Sequence, residues 1–118
     1  MGQSFFDKLE LMSRCLDDAD FAVEMLEIFA RQLPEQLQKL TSAMSAGQAQ
    51  EAAKAAHAMK GTAGNLAAKR LHVAMAELEK TLRQDDLAMA NQLLEVILRE
   101  AKCALDDVPA TVLSFKTV

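Results

Sequence analysis

The sequence predicts an all-α protein, an antiparallel four-helix bundle with a short extra helix at the N-terminus. Three observations support this fold class. Ala, Leu, Met, Glu, Gln and Lys dominate the 118 residues and favour the α-helix, whereas β-branched residues are sparse before the last dozen positions. Apolar residues recur at steps of three and four, which is the helical period. The breaks between these segments are short, and short breaks favour antiparallel neighbours.

The first two predicted helices are separated by a pair of aspartates. A short helix is predicted over residues 4–15, and Asp17 and Asp18 then supply carboxylates that cap the next helix. One apolar stripe follows and defines a long helix. Its members are Ala22, Met25, Leu26, Phe29, Leu33, Leu37, Leu40 and Met44. Pro34 lies inside this stripe and either kinks one helix or divides it in two. Gly47 is the predicted stop.

Three more helices are predicted after this stop. Two of them cover about 48–65 and 68–84, and Asp85 and Asp86 mark the break before the last one. Apolar residues continue along the last helix as far as Leu105.

The end of this helix sets the predicted domain limits. Residues 106–109, which finish with a proline, are expected to end it. The chain 1–118 is therefore predicted to be one domain with a bundle core of about 18–105 and a C-terminal tail over 106–118.

Composition and motifs exclude several function classes. The net charge is −4 and no basic run indicates nucleic acid. No apolar stretch approaches the roughly 18 residues of a membrane span, and Met1–Glu10 does not have the form of a signal peptide. Cys15 and Cys103 match no metal or redox spacing, so two buried or half-buried thiols in a reduced cytoplasmic setting are expected. No nucleotide-binding loop or di-metal motif is found.

The predicted helix over 48–65 carries a histidine outside its apolar stripe. Successive residues of a helix lie about 100° apart, which places His57 roughly 140° from the centre of that stripe. Gly61 falls almost opposite the stripe, Gly64 lies two turns beyond His57, and Lys60 lies at the flank. An interior glycine costs about 1 kcal/mol relative to alanine. The glycines are therefore predicted to leave space for the backbone of another protein beside an exposed imidazole.

This arrangement suits a phosphoryl group carried on His57. A neutral imidazole is a good nucleophile at cellular pH, and the ammonium group of Lys60 could offset the phosphoryl charge. The alternative is an ordinary solvated histidine with a solvated lysine nearby. The second histidine, His72, lies near the edge of its own apolar stripe and is expected to pack at the boundary.

The segment from His57 to Ala68 resembles the signature of histidine-containing phosphotransfer (HPt) domains. That signature has a histidine, an apolar residue two positions later, Lys-Gly, and Leu-Gly-Ala about nine residues on. The pair Leu78-Glu79 is similar to a Leu-Glu pair that follows in the same family. One position departs from the pattern, because Ala67 stands where the family usually has glycine. This departure raises a question about the turn, not about the histidine.

The resemblance implies an intermediate of a multistep phosphorelay. His57 would accept a phosphoryl group on Nε2 from a receiver-domain aspartate and pass it to another, Lys60 would assist electrostatically, and Gly61 would permit receiver approach. Glu79 would accept a hydrogen bond from Nδ1–H and so leave Nε2 free. A competing interpretation pairs Glu79 with Arg83 at i,i+4, and the two contacts do not exclude each other.

The implied partners are the receiver domains of a hybrid sensor histidine kinase and of a response regulator. They would dock around His57, on a surface predicted to contain Ala53, Lys54, Lys60, Gly61 and Gly64. The chain would be a monomer that is not itself a kinase, and it would need no cofactor or metal of its own because the receiver brings Mg²⁺. The competing hypothesis is a non-catalytic helical bundle that binds or sequesters a receiver or another partner.

Overall fold

Five helices form the part of the chain that the computed structural model describes, residues 5–116. They are α1 (Lys8–Arg14), α2 (Ala19–Ser45), α3 (Ala49–Asn65), α4 (Lys69–Arg83) and α5 (Leu87–Lys116). Helices α2 and α4 each pack against both α3 and α5, and this closes a four-helix bundle. Three-residue turns connect successive helices of the bundle, so that neighbours run antiparallel. The predicted fold class is confirmed.

The first four helices end with the same backbone motif. One residue after each C-cap has a left-handed backbone, and the next N–H bonds back to a carbonyl in the last turn, as in a Schellman motif. The left-handed residues that directly follow the C-caps are Leu16 (φ 57°), Gly47 (φ 71°), Ala67 (φ 56°) and Asp85 (φ 58°), and Asp17 after Leu16 is left-handed as well (φ 60°). Gly47 is the predicted stop of α2 and adopts this conformation without steric cost.

The two aspartates before α2 have different functions. Asp18 is the N-cap, and its Oδ1 accepts a hydrogen bond from the N–H of Phe21 at 3.2 Å. Asp17 belongs to the turn, where its N–H bonds to the carbonyl of Met12 at 2.8 Å. Only Asp18 therefore caps the helix as predicted.

The bundle core consists of the apolar stripes that the sequence defines. Helix α2 is continuous through Pro34, so this proline does not divide it. The apolar stripes of α3 and α4 are fully buried; their members are Ala52, Ala56, Met59 and Ala63 in α3, and Leu71, Met75, Leu78 and Leu82 in α4. Of the two thiols, Cys15 is buried and Cys103 is exposed, which corrects the expectation for Cys103. No helix among the described residues is long and apolar enough to cross a membrane.

The predicted end of the last helix is wrong. Helix α5 does not end at residues 106–109 but continues through Pro109 as far as Lys116. Proline removes one backbone hydrogen bond, but Val108 and Phe115 continue the apolar stripe and are buried in the core. The gain from burying these side chains offsets the lost bond.

The N-terminal segment also extends the core beyond its predicted limits. Helix α1 begins at Lys8, later than predicted, because Asp7 is its N-cap. Phe6 lies before the helix, is buried, and packs edge-on against Phe29 of α2 with 5.8 Å between the ring centroids. The backbone N–H of Phe5 donates to Asp107 of α5 at 2.8 Å. The first predicted residue of the helix, Ser4, lies outside the described residues.

Candidate functional site

His57 projects from the exposed face of α3. Its side chain is 63% exposed, whereas Ala56 and Met59 on the same helix are fully buried. The helical period therefore places the imidazole as the sequence predicts. No hydrogen bond to Nε2 occurs within the described chain, so this nitrogen is open to solvent or to a partner.

The carboxylate of Glu79 reaches His57 from α4. Nδ1 of His57 lies 3.2 Å from both Oε1 and Oε2 of Glu79. With Nδ1 protonated, the ring donates to the carboxylate and Nε2 keeps its lone pair. The contact implied by the resemblance is thus present.

Two cations hold the same carboxylate. Lys60 Nζ lies 2.9 Å from Oε1, and the Nε and Nη2 atoms of Arg83 each lie 3.0 Å from Oε2. Burial alone would raise the pKa of Glu79, but hydrogen bonds from Lys60, Arg83 and His57 lower it to about 2. The contact with His57 and the i,i+4 pair with Arg83 therefore coexist in one cluster.

This low pKa makes a prediction about acid stability. Because the pKa of Glu79 is about 2 in the folded chain and 4.5 ordinarily, its ionised form stabilises the fold above pH 4.5. That contribution is lost as the pH falls through the folded pKa. We expect the wild-type protein to be more stable than Glu79→Gln at pH 7 by up to about 3 kcal/mol. The difference should shrink below pH 4.5 in urea unfolding experiments.

A matched control is Glu95→Gln, which removes an exposed carboxylate of α5. Its free energy of unfolding at pH 7 should differ little from that of the wild-type protein. Parallel pH curves for the wild-type protein and Glu79→Gln would contradict the stabilising function of the ionised carboxylate.

The predicted docking residues do not all lie on the surface. Ala53 is fully buried, so it cannot contact a partner, and its assignment to the docking surface is wrong. The small side chains of α3 pack so closely on the neighbouring helices that the buried stripe is wider than the sequence indicates. Lys54 is exposed and pairs with Glu51 at 3.2 Å.

The two glycines of α3 have different surroundings. A Cβ atom at Gly61 would meet nothing within 4 Å, so the space above this position is open. A Cβ at Gly64 would lie 3.0 Å from Nδ1 of His72 on α4. Gly64 therefore admits the ring of His72, which the prediction for this glycine did not include.

His72 connects α4 to the backbone of α3. Its Nδ1 donates to the carbonyl of Lys60 at 2.9 Å, and the ring is half-buried, in agreement with the expected boundary position. His72 and Gly64 are equally distant from Ala68 in the sequence, as are Glu79 and His57. In an antiparallel hairpin, residues equally distant from the turn lie at the same height. This spacing is the signal that could have paired Gly64 with His72.

Ala67, which stands where the family usually has glycine, lies in the turn between α3 and α4. Its φ of 56° is in the left-handed region, where glycine is the preferred residue. The N–H of Ala68 nevertheless bonds to the carbonyl of Ala63 at 2.9 Å, so alanine forms the same turn at some steric cost.

The charges of the site do not suit a metal ion. One carboxylate is balanced by two cations around His57, and the described residues contain no group of three or more His, Cys, Asp and Glu that could hold a metal. An oriented imidazole beside cations is instead suited to an anionic group such as phosphoryl.

Comparisons with known proteins agree with this chemistry. The profile of the Hpt domain matches residues 24–110. The crystal structure of histidine-containing phosphotransfer protein B (HptB) from Pseudomonas aeruginosa PAO1 is similar with a TM-score of 0.86 and 27% sequence identity, over 96% of this chain and 98% of that chain. A search among curated protein sequences gave no significant match.

The fold and these matches define a phosphotransfer intermediate of a phosphorelay, a class whose members interact with receiver domains and are not kinases. The chain belongs to the Hpt domain family. The alternative of a non-catalytic interaction bundle is not favoured.

Proposed function

We propose that His57 is the phosphoacceptor of this intermediate. The observation that carries the proposal is the contact of Nδ1 with Glu79 on an imidazole whose other nitrogen is open. The Nε2 lone pair attacks the phosphorus of an aspartyl phosphate on a receiver. The P–O bond to that aspartate breaks, and its electron pair stays on the carboxylate. Transfer to the second receiver is the reverse step with another aspartate.

Glu79 and Lys60 compensate opposite charges in this step. A ring that carries phosphoryl on Nε2 and a proton on Nδ1 is an imidazolium, and the ionised Glu79 faces that proton. Lys60 Nζ neighbours the same site and offsets the charge of the phosphoryl oxygens.

Removal of Lys60 should slow transfer without abolishing it. We expect Lys60→Ala to lower the rate of phosphoryl uptake from a phosphorylated receiver by about tenfold, as for loss of one charge-assisted contact. Quenched-flow sampling with quantification of the phosphorylated chain measures this rate. Lys102→Ala, which removes an exposed lysine of α5 outside the predicted docking surface, is the control. Equal rates for Lys60→Ala and the wild-type protein would contradict an electrostatic function.

The receiver would approach over Gly61, with Lys54 and Lys60 at the edge of the contact. We propose as partners a receiver of a hybrid sensor histidine kinase and a receiver of a response regulator. The chain would act as a cytoplasmic monomer without kinase activity of its own. It would need no resident cofactor, since Mg²⁺ would arrive on the receiver with the aspartate.

Intact-mass measurement tests the proposal. The wild-type protein is incubated with a panel of phosphorylated receivers and measured before and after mild acid. We expect an adduct of one phosphoryl group that acid removes, because the P–N bond of phosphohistidine is acid-labile. The absence of an adduct with every receiver would contradict the proposed function and favour a binding function without transfer.

A further inference from the structure

Arg83 lies one turn after Glu79 on α4 and binds it through two nitrogens. Both Nε and Nη2 lie 3.0 Å from the same oxygen, Oε2. The guanidinium is half-exposed, whereas the Glu79 side chain is only 11% exposed. Planar donors at two positions restrict the orientation of a carboxylate more than a single ammonium does. Arg83 therefore restrains the position of Oε2 on this carboxylate.

Lys60 binds the other oxygen of the same carboxylate. Its Nζ lies 2.9 Å from Oε1, so in this structure the lysine is paired with Glu79. To assist a phosphoryl group on His57, the ammonium group of Lys60 must move away from Glu79 and toward the phosphoryl oxygens. A nearly buried carboxylate left without a cation would be destabilised and would take up a proton or move.

We propose that Arg83 is a positioning residue for phosphoryl transfer. It keeps Glu79 ionised and directed at Nδ1 of His57 while Lys60 moves from Glu79 to the phosphoryl group. The inference rests on the proposed function of His57 as the phosphoacceptor. Arg83 acts through Glu79 and contacts neither the phosphoryl group nor the receiver.

The tautomer of the His57 ring tests the effect of Arg83 on Glu79 and can be measured without phosphoryl transfer. Nitrogen-15 NMR of the neutral His57 ring at alkaline pH gives the fraction of the form protonated at Nδ1. We expect this fraction to be high in the wild-type protein, to fall in Arg83→Ala and to recover in part in Arg83→Lys. Arg99→Ala, which removes an exposed arginine of α5, should leave it unchanged.

Transfer rates test whether Arg83 acts through Glu79. We expect Arg83→Ala to slow phosphoryl uptake about three- to fivefold, as suits a half-exposed ion pair. The same substitution in a Glu79→Gln background should cause no further loss, since coupled residues give non-additive effects. Arg83→Lys should restore part of the rate. Additive losses would show that Arg83 contacts the phosphoryl group or the receiver directly, and would overturn the inference.

The two proposals fail in different ways. A wild-type protein that takes no phosphate from any receiver would overturn the proposed function and this inference with it. A wild-type protein that takes phosphate, with the same His57 tautomer in Arg83→Ala, would overturn only the function of Arg83.

Discussion

The substitution His57→Gln is expected to abolish phosphoryl uptake while the fold persists. The glutamine side chain has no nucleophilic nitrogen, because its amide lone pair is delocalised, so no phosphoryl adduct can form at this position. The wild-type side chain is 63% exposed, so the change in the free energy of unfolding should stay within about 0.5 kcal/mol. Intact-mass measurement after incubation with phosphorylated receiver and thermal unfolding followed by circular dichroism give the two results.

His72→Gln is the matched control, because His72 is the only other histidine in the sequence. Its Nδ1 is bound to the carbonyl of Lys60, and its ring packs over Gly64. We expect this variant to take up phosphate and to lose about 1 kcal/mol of stability with its hydrogen bond. An adduct on His57→Gln would contradict the assignment, and a loss of helicity in that variant would contradict the exposed position of His57.

The fold could be predicted because apolar residues recur at steps of three and four along each helix of the bundle. Most side chains that the period of three and four selects in α2 to α4 are buried, and the short turns leave few alternatives for the order of the helices. The prediction failed at Pro109 because a proline inside a helix is a local signal. Whether the helix continues depends on a distant partner, here the core that includes Phe5, Val108 and Phe115.

The site was predictable to the extent that one helix determines it. The exposure of His57 follows from the geometry of α3 alone, and the resemblance supplied Glu79 as its partner. The pair of Glu79 with Arg83 follows from the i,i+4 spacing on α4 alone. The contact of Lys60 with the same carboxylate depends instead on how far α3 and α4 stand apart. Sequence periodicity does not contain that distance, so the Lys60 contact required the structure.

A substitution at Gly61 of α3 is expected to raise the stability of the fold and to lower the rate of phosphoryl transfer. A side chain at Gly61 meets no atom within 4 Å, so Gly61→Gln should stabilise the folded chain by about 0.5 kcal/mol through helix propensity. The same side chain would occupy the space that we assign to the receiver. We expect uptake of phosphate from a receiver to fall at least about tenfold, the effect of losing 1.4 kcal/mol of binding. Urea unfolding and transfer kinetics on one preparation measure both.

Gly64 is the position for comparison, because alanine should affect stability differently there than at Gly61. An alanine there would also gain helix propensity of about 1 kcal/mol, but its Cβ would lie 3.0 Å from Nδ1 and 3.3 Å from Cε1 of His72. The ring cannot retreat without weakening its bond to the Lys60 carbonyl, so Gly64→Ala should be less stable than Gly61→Ala. Equal stabilisation by both alanines would contradict the packing account of Gly64. Unchanged transfer by Gly61→Gln would mean that no receiver approaches over Gly61, and the cost of this glycine to α3 would then need another cause.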